Sequence, residues 1–180
     1  KISNNSWFVD IGSNIGLYSL NISNVNSKYK TIKTLSIEPN PVIYKRLKKN
    51  FKLLLLQNKF ITNNFILKNY AIGNNESFGK IDKSIDHANV KVINRKKSKI
   101  NDNYIKIKIV KLSSLLKKYN IKNISCIKID TEGYEHKILK DFFKKINFKY
   151  FPKYLIVEHN NDKNYYKNER IILKNKYKIK

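Results

Sequence analysis

Apolar residues in this chain fall into two spacings. Short runs rich in apolar residues at 7–11, 34–37, 65–72 and 124–129 have the length of strands, and those at 7–11 and 124–129 read as buried strands. Between them, residues 41–56 place Val42, Ile43, Leu47, Phe51 and Leu54 near a helical period, with lysines opposite. Pro41 suits a first helical turn and Asn40 its cap. The same reading predicts helices over 15–26, 112–119, 135–146 and 164–173, and strands over 104–110 and 154–157. Residues 73–103 are polar, contain GNNES and NRKKSKIND, and read as loops around short strands at 80–81 and 90–93. There is no repeat and no linker. Buried strands alternating with amphipathic helices predict an α/β fold, a Rossmann-like, doubly wound, mostly parallel sheet in three α/β/α layers.

A chain of 180 residues suits one domain with a full core. It opens on Lys1, so we expect an excerpt of a longer polypeptide with a neighbouring domain. No apolar run approaches a membrane span and no signal peptide opens the chain. Cys126 is the single cysteine and excludes an internal disulfide, which fits a reducing cytoplasmic setting, or a host cytoplasm for a viral source.

Charge changes the picture less than its size suggests. A net +25 invites a nucleic-acid partner, but the cations are 35 Lys against 3 Arg and are scattered. Lys, Asn and Ile make up nearly half the chain, all with A/T-rich codons. A site selected for phosphate or bases would favour the Arg fork, so nucleic acid is not the expected partner.

The 13 acids are more telling. Asp10, Glu38, Asp130 and Glu158 each end or adjoin a predicted strand, where ligands of such sheets bind. One strand-end acid alone is often just the cap of the next helix; four outline an acidic crevice. After the first strand comes FVDIGSNIG. A P-loop would need G-x-x-x-x-G-K-[ST], which is absent, and the dinucleotide fingerprint needs a middle glycine where this turn has Asn14. An acid at the turn's mouth repels phosphate and favours a sulfonium or ammonium group. Glu38, 28 residues after Asp10, can accept hydrogen bonds from both hydroxyls of a ribose. Ribose, amino acid and cation without phosphate describe S-adenosylmethionine.

FVDIGSNIG, SIEPNP, NYAIGN, CIKIDTEGYEHKIL and LIVEHN, in that order, resemble the FkbM family of class I S-adenosylmethionine-dependent methyltransferases. The resemblance runs over about residues 7–160, and K-I-D-x-E-G-x-E at 128–135 is its most specific part. It implies O-methylation of a hydroxyl on a sugar, glycan or other small molecule. By position it implies that Asp10, Gly12, Ser13, Asn14 and Gly16 meet the methionine moiety, and that Glu38, Pro39 and Asn40 hold the ribose. Tyr70, Ala71 and Ile72 would lie near the adenine, and Asp130, Glu132 and Glu135 at the donor–acceptor junction. Leu112-Ser113 stands where the family often has Leu-Asp, and the terminal strand pair usual in class I methyltransferases is expected to be missing or incomplete.

A neutral sugar hydroxyl is a poor nucleophile, so a base should assist it. The candidates are Asp130, Glu132, His159 and His87. Asp130 follows a central strand; His159 adjoins Glu158; His87 lies in the irregular middle; His136 is expected on a helix surface. Asp130, Glu132 and Glu158 could instead gather Mg²⁺, though no spacing demands it and no metal is expected. Lys128, in a buried strand, should pair with an acid or reach solvent. The alternatives to an O-methyltransferase are a nucleic-acid methyltransferase, disfavoured by the lack of an N-P-P-Y-type motif and of Arg clusters, and a Rossmann-like binding module without turnover.

Overall fold

The computed structural model describes residues 3–61, 64–82, 103–158 and 165–178. Strand β1 (Ser6–Ile11) leads through α1 (Leu17–Asn24) to β2 (Ile32–Ile37), and α2 (Pro41–Gln57) leads on to β3 (Phe65–Lys68). Next come β4 (Ala71–Gly73), β5 (Ser77–Asp82), β6 (Tyr104–Lys111) and α3 (Leu112–Lys118). The chain closes with β7 (Ile124–Ile129), α4 (Glu135–Lys145), β8 (Tyr154–Val157) and α5 (Tyr165–Lys174).

Five strands form a wholly parallel sheet in the order β3-β2-β1-β7-β8. The chain winds outward from β1 through β2 to β3, then returns to the other side of β1 for β7 and β8. The strand order therefore reverses between β1 and β7, where α/β sheets open a crevice. Among the described residues β8 is an edge of this sheet.

Residues 65–72 are not one strand, as the apolar run predicts. The chain breaks at Asn69 and Tyr70, and β4 joins a separate three-stranded sheet, β4-β6-β5. There β4 runs parallel and β5 antiparallel to β6. Asn69 makes the break: its Nδ2 donates to the carbonyls of Glu38 and Pro39 at 2.8 and 2.9 Å, tying the crossing to the β2–α2 turn. The strand expected at 80–81 lies within β5; that at 90–93 lies outside the described residues.

Alternation along the central strands sorts the two faces of the main sheet. Val9, Ile11, Leu35, Ile37, Ile127 and Ile129 pack with Ile138, Leu139 and Phe142 of α4. The opposite face carries Phe8, Ile32 and Cys126, and then turns polar toward the carboxyl ends. Helix α1 meets that face with two buried serines: Ser19 Oγ donates to Asp10 Oδ2 at 2.6 Å, and Ser23 Oγ lies 3.3 Å from Thr34 Oγ1. Helix α2 begins as expected, with Asn40 Oδ1 accepting from the amides of Val42 and Ile43 and Pro41 in the first turn. Among the described residues no helix is long and apolar enough to cross a membrane.

Gly12 holds the crevice together at its base. Its φ is +75°, and a Cβ there would fall 1.7 Å from the Asp130 carbonyl oxygen. The ends of β1 and β7 approach this closely only without a side chain. Gly12→Ala should therefore destabilise the fold by about 3 kcal/mol or more, read as a lower urea midpoint with unchanged slope. A variant as stable as the wild type would show that the two strand ends can part freely.

Candidate active site

Three of the parallel strands end in register, and the residue after each is an acid. The amide of Glu38 donates to Lys68 O at 3.0 Å, that of Asp130 to Ile11 O at 3.0 Å, and that of Glu158 to Ile129 O at 2.9 Å. Each acid is thus fixed by the last rung of a ladder and lies on the same edge. One cleft of about 200 Å³ collects all three. It is lined by Gly12, Asn14, Glu38, Pro39, Tyr70, Ala71, Ile72, Asp130 and Glu132, with Ile11, Ile37, Ile109, Thr131, Tyr134 and Glu158 completing its walls.

Asp10 is placed differently from the expectation that it stands at the turn's mouth. It lies inside β1, one residue before the strand's end, so alternation turns its side chain toward α1. It is fully buried. Its Oδ2 accepts from Ser19, which in turn accepts from Ser36 Oγ at 2.7 Å, and its Oδ1 is 3.6 Å from Lys128 Nζ. Burial holds its carboxyl above the usual range, opposed by Lys128 and Ser19. Lys128 Nζ also donates to Asp130 Oδ2 at 2.9 Å and to Gly12 O at 3.4 Å. The buried lysine pairs with acids, as a charge in that strand must.

The glycine turn spends its amides on protein. Gly12 and Ser13 N–H both donate to Ile37 O at 3.0 Å, and Asn14 N–H donates to Glu38 Oε2 at 2.9 Å. Three successive donors that could cradle a phosphate are already engaged. Glu38 Oε1 accepts from Asn40 N–H at 2.9 Å, so two amides orient the carboxylate. Burial raises the Glu38 carboxyl to about 7, against the Asn40 and Asn14 amides that favour its charged form.

Opposite Glu38, carboxylate oxygens of Asp130, Glu132 and Glu158 lie within 4.8 Å of one another. Glu158 is pushed up to about 7, first by burial, then by its hydrogen bond to Asp130 and the charges of Asp130, Glu132 and Glu135. The turn that presents Glu132 is unusual: Glu132 has φ +54° and Gly133 φ +103°. Glu135, expected at the donor–acceptor junction, instead braces this turn from beneath. Its buried Oε1 accepts from Thr131 N–H and Oγ1, both at 2.8 Å, and from Gly133 N–H at 3.3 Å.

Over residues 10–178 the chain matches the sequence model of the methyltransferase FkbM domain. It belongs to the FkbM methyltransferase family. It is similar in fold to the crystal structure of methyltransferase FkbM from Methylobacillus flagellatus KT, with a TM-score of 0.62 and 17% identity. That match covers 96% of this chain and 38% of the other. A second similar structure is precorrin-8w decarboxylase from Methanobacterium thermoautotrophicum, with a TM-score of 0.51 and 13% identity over 98% of this chain and 66% of that one. At such identities the likeness shows the fold, and this chain spans only part of either protein's length. No curated protein matches the chain significantly.

Within this FkbM methyltransferase domain the residues expected at a cofactor divide in two. Gly12, Asn14, Glu38, Pro39, Tyr70, Ala71, Ile72 and Asp130 line the cleft, while Asp10, Ser13, Gly16 and Asn40 are not among its lining residues. Gly16 (φ +97°) packs against Leu47 of α2, and Asn40 caps that helix. Of the candidate bases, Asp130 and Glu132 are in the cleft; His87 and His159 lie outside the described residues. His136 is half-buried rather than on a helix surface, its imidazole held below the ordinary value by burial and by Lys167 and Lys140. Burial pushes the Cys126 thiol up to about 11, which leaves it a packing residue. The sequence reading missed Ile109, Thr131 and Tyr134, and took Glu158 for a strand-end acid without making it a base.

Lys128→Met should cost about 3 kcal/mol at neutral pH, because it strands the fully buried Asp10 charge. Asp10 then titrates higher in the folded than in the unfolded chain, so protonation favours the fold. The deficit should be full above neutrality and shrink as pH falls toward the unfolded carboxyl range. Urea titrations from pH 8 to 5 check this; a pH-independent deficit would mean that Lys128 acts only through packing.

Proposed function

We propose that this domain transfers the methyl group of S-adenosylmethionine to a hydroxyl of a sugar, glycan or other small molecule. The observation that carries the reading is the pairing, across one cleft, of an amide-held acid at the end of β2 with a three-carboxylate group at the ends of β7 and β8.

The residues fit such a cofactor. Each Glu38 oxygen accepts one amide and retains a second acceptor site, which suits the two hydroxyls of a ribose. Ile37, Ala71, Ile72 and Ile109 give an apolar wall and Tyr70 a ring for a planar base. Asn14 has its backbone amide engaged by Glu38, and its side-chain amide, which can both donate and accept, suits the carboxylate and ammonium of the amino-acid end. When bound, the cofactor supplies an electrophilic methyl on a sulfonium whose positive charge is lost in transfer. Asp130 and Glu132 lie where that cation and the ammonium group are favoured before transfer.

Glu158 takes the acceptor's proton. A base works best when its own pKa lies near the working pH, and Glu158, raised to about 7, meets that condition. Lys128 already neutralises part of the acidic cluster, which reduces what a divalent cation would gain there, so the reaction runs without metal.

Calorimetric titration with S-adenosylmethionine should show binding, weakened about tenfold or more by Glu38→Ala. No heat with the wild-type protein would sink the reading. Methyl transfer measured with labelled donor over a panel of glycans should rise with pH through about 7, because the carboxylate form of Glu158 is the base. Glu158→Gln should remove roughly 10²-fold of the rate together with that rising limb. Measured at saturating donor, so that ionisation of Glu38, also raised to about 7, does not limit binding, a variant that keeps the limb would move the base elsewhere, and a rate lost to EDTA would overturn the metal-free step.

A further inference from the structure

The three-stranded sheet carries a feature that the cleft does not use. By register, Phe78 of β5 faces Lys108 of β6, Lys80 faces Lys106, and Asp82 faces Tyr104. Residues alternate across a strand, so these share one face, and Ile105, Ile107, Ile109, Ile81 and Ala71 pack together on the other. On that face each ring carries a lysine. Lys106 Nζ lies 4.2 Å from the centre of the Phe78 ring, Lys80 Nζ 4.8 Å from Tyr104, and Lys108 Nζ 5.7 Å from Tyr70. Lys106 and Lys108 are exposed, as is Phe78 at 61%. Tyr70 is also part of the cleft wall, so the face is continuous with the cleft.

Rings beneath ammonium groups hold them in place and lessen the entropy lost on binding an anion. Lys106 and Lys108 stand two residues apart on one strand, about 7 Å, a ladder of fixed positive charge leading to the reaction edge. We propose that this face binds the acidic groups of the acceptor, and that the acceptor is an anionic saccharide bearing carboxylate, sulfate or phosphate groups. The inference rests on the methyl-transfer reading of the cleft, since it names what that cleft's acceptor carries.

Two observations favour a saccharide over single-stranded nucleic acid. Base stacking needs open ring faces, and on this face the rings of Phe78 and Tyr104, those that lie outside the cleft, each have a lysine over them. Nucleic acid also has phosphate beside every sugar, which would bring charge against Asp130, Glu132 and Glu158. A saccharide can offer a neutral hydroxyl at the carboxylates while its acidic groups rest on the lysine ladder one or more units away.

The test measures binding of fluorescent polygalacturonate and heparin fragments and a phosphorylated oligosaccharide. Their neutral counterparts, methyl-esterified polygalacturonate and dextran, and a single-stranded RNA complete the set. The wild-type domain is compared with Lys106→Gln/Lys108→Gln and with a control of equal charge, Lys144→Gln/Lys145→Gln on α4. At least one acidic saccharide should bind roughly tenfold tighter than its neutral counterpart. The β6 pair should lose most of that preference, and the control pair should change it less than about twofold. Equal losses in both pairs would reduce the effect to net charge and overturn the proposal. So would the absence of any preference, or RNA binding tighter than every acidic saccharide. The readout needs no methyl donor. Failure of S-adenosylmethionine to bind would therefore strike the reading of the cleft, while the saccharide comparison decides this surface independently.

Discussion

One buried ammonium group governs the geometry of the site. Lys128, in the middle strand pair of the sheet, reaches Asp10 behind the wall and Asp130 in the cleft, and also donates to the Gly12 carbonyl. A lysine there is costly unless acids surround it, and an acid as buried as Asp10 is costly without a cation. Each makes the other tolerable, and together they fix where β1 and β7 end. The Ser36–Ser19–Asp10 relay extends that network into α1, which explains why the helix packs on the sheet through serines. Gly12 follows from the same constraint. Strand ends drawn together by Lys128 leave no room for a Cβ against Asp130 O.

The edge so fixed separates positioning from chemistry. Glu38 is aimed by two amides, one from the glycine turn and one from the cap of α2, so two elements must be folded before it points into the cleft. Glu135 does the same for the turn after β7. The two amides favour the charged form of Glu38, and burial still outweighs them. The raised values of Glu38 and Glu158 are thus consequences of burial and crowding at strand ends, which an ordered parallel sheet produces by itself.

Much of this was legible in the sequence, and the rest was hidden for identifiable reasons. Apolar runs marked the central strands because both their faces are covered, and Asn40-Pro41 marked the start of α2 because a cap is a local device. The break in 65–72 falls on the polar pair Lys68-Asn69, which a single edge strand could also hold; what divides the run is the reach of Asn69 to the β2–α2 turn, a contact across 30 residues. The sequence shows that Asp10 is near a strand end, but the one-residue offset that decides which face it meets is set by where β1 stops. Gly16 has a structural reason visible only in the fold, since a Cβ there would meet Leu47. Glu158 drew too little weight because its environment is built by β7 and the following turn, far away in sequence.

The contrast between the cleft and the molecule bears on what can react there. The protein carries +25, yet its reaction edge gathers three of its 13 acids within 4.8 Å. Two like charges at about 5 Å and an effective dielectric near 20 repel by roughly 3 kcal/mol. An anionic group brought to the carboxylates is therefore rejected, while the same group a short way off is attracted by surrounding lysines. On the proposed reading of the lysine face, the arrangement would discriminate by position, attracting an acidic molecule as a whole and admitting its neutral part to the carboxylates. Under that proposal no arginine clamp is required, because repulsion at the edge and attraction beyond it would together set the register of the acceptor.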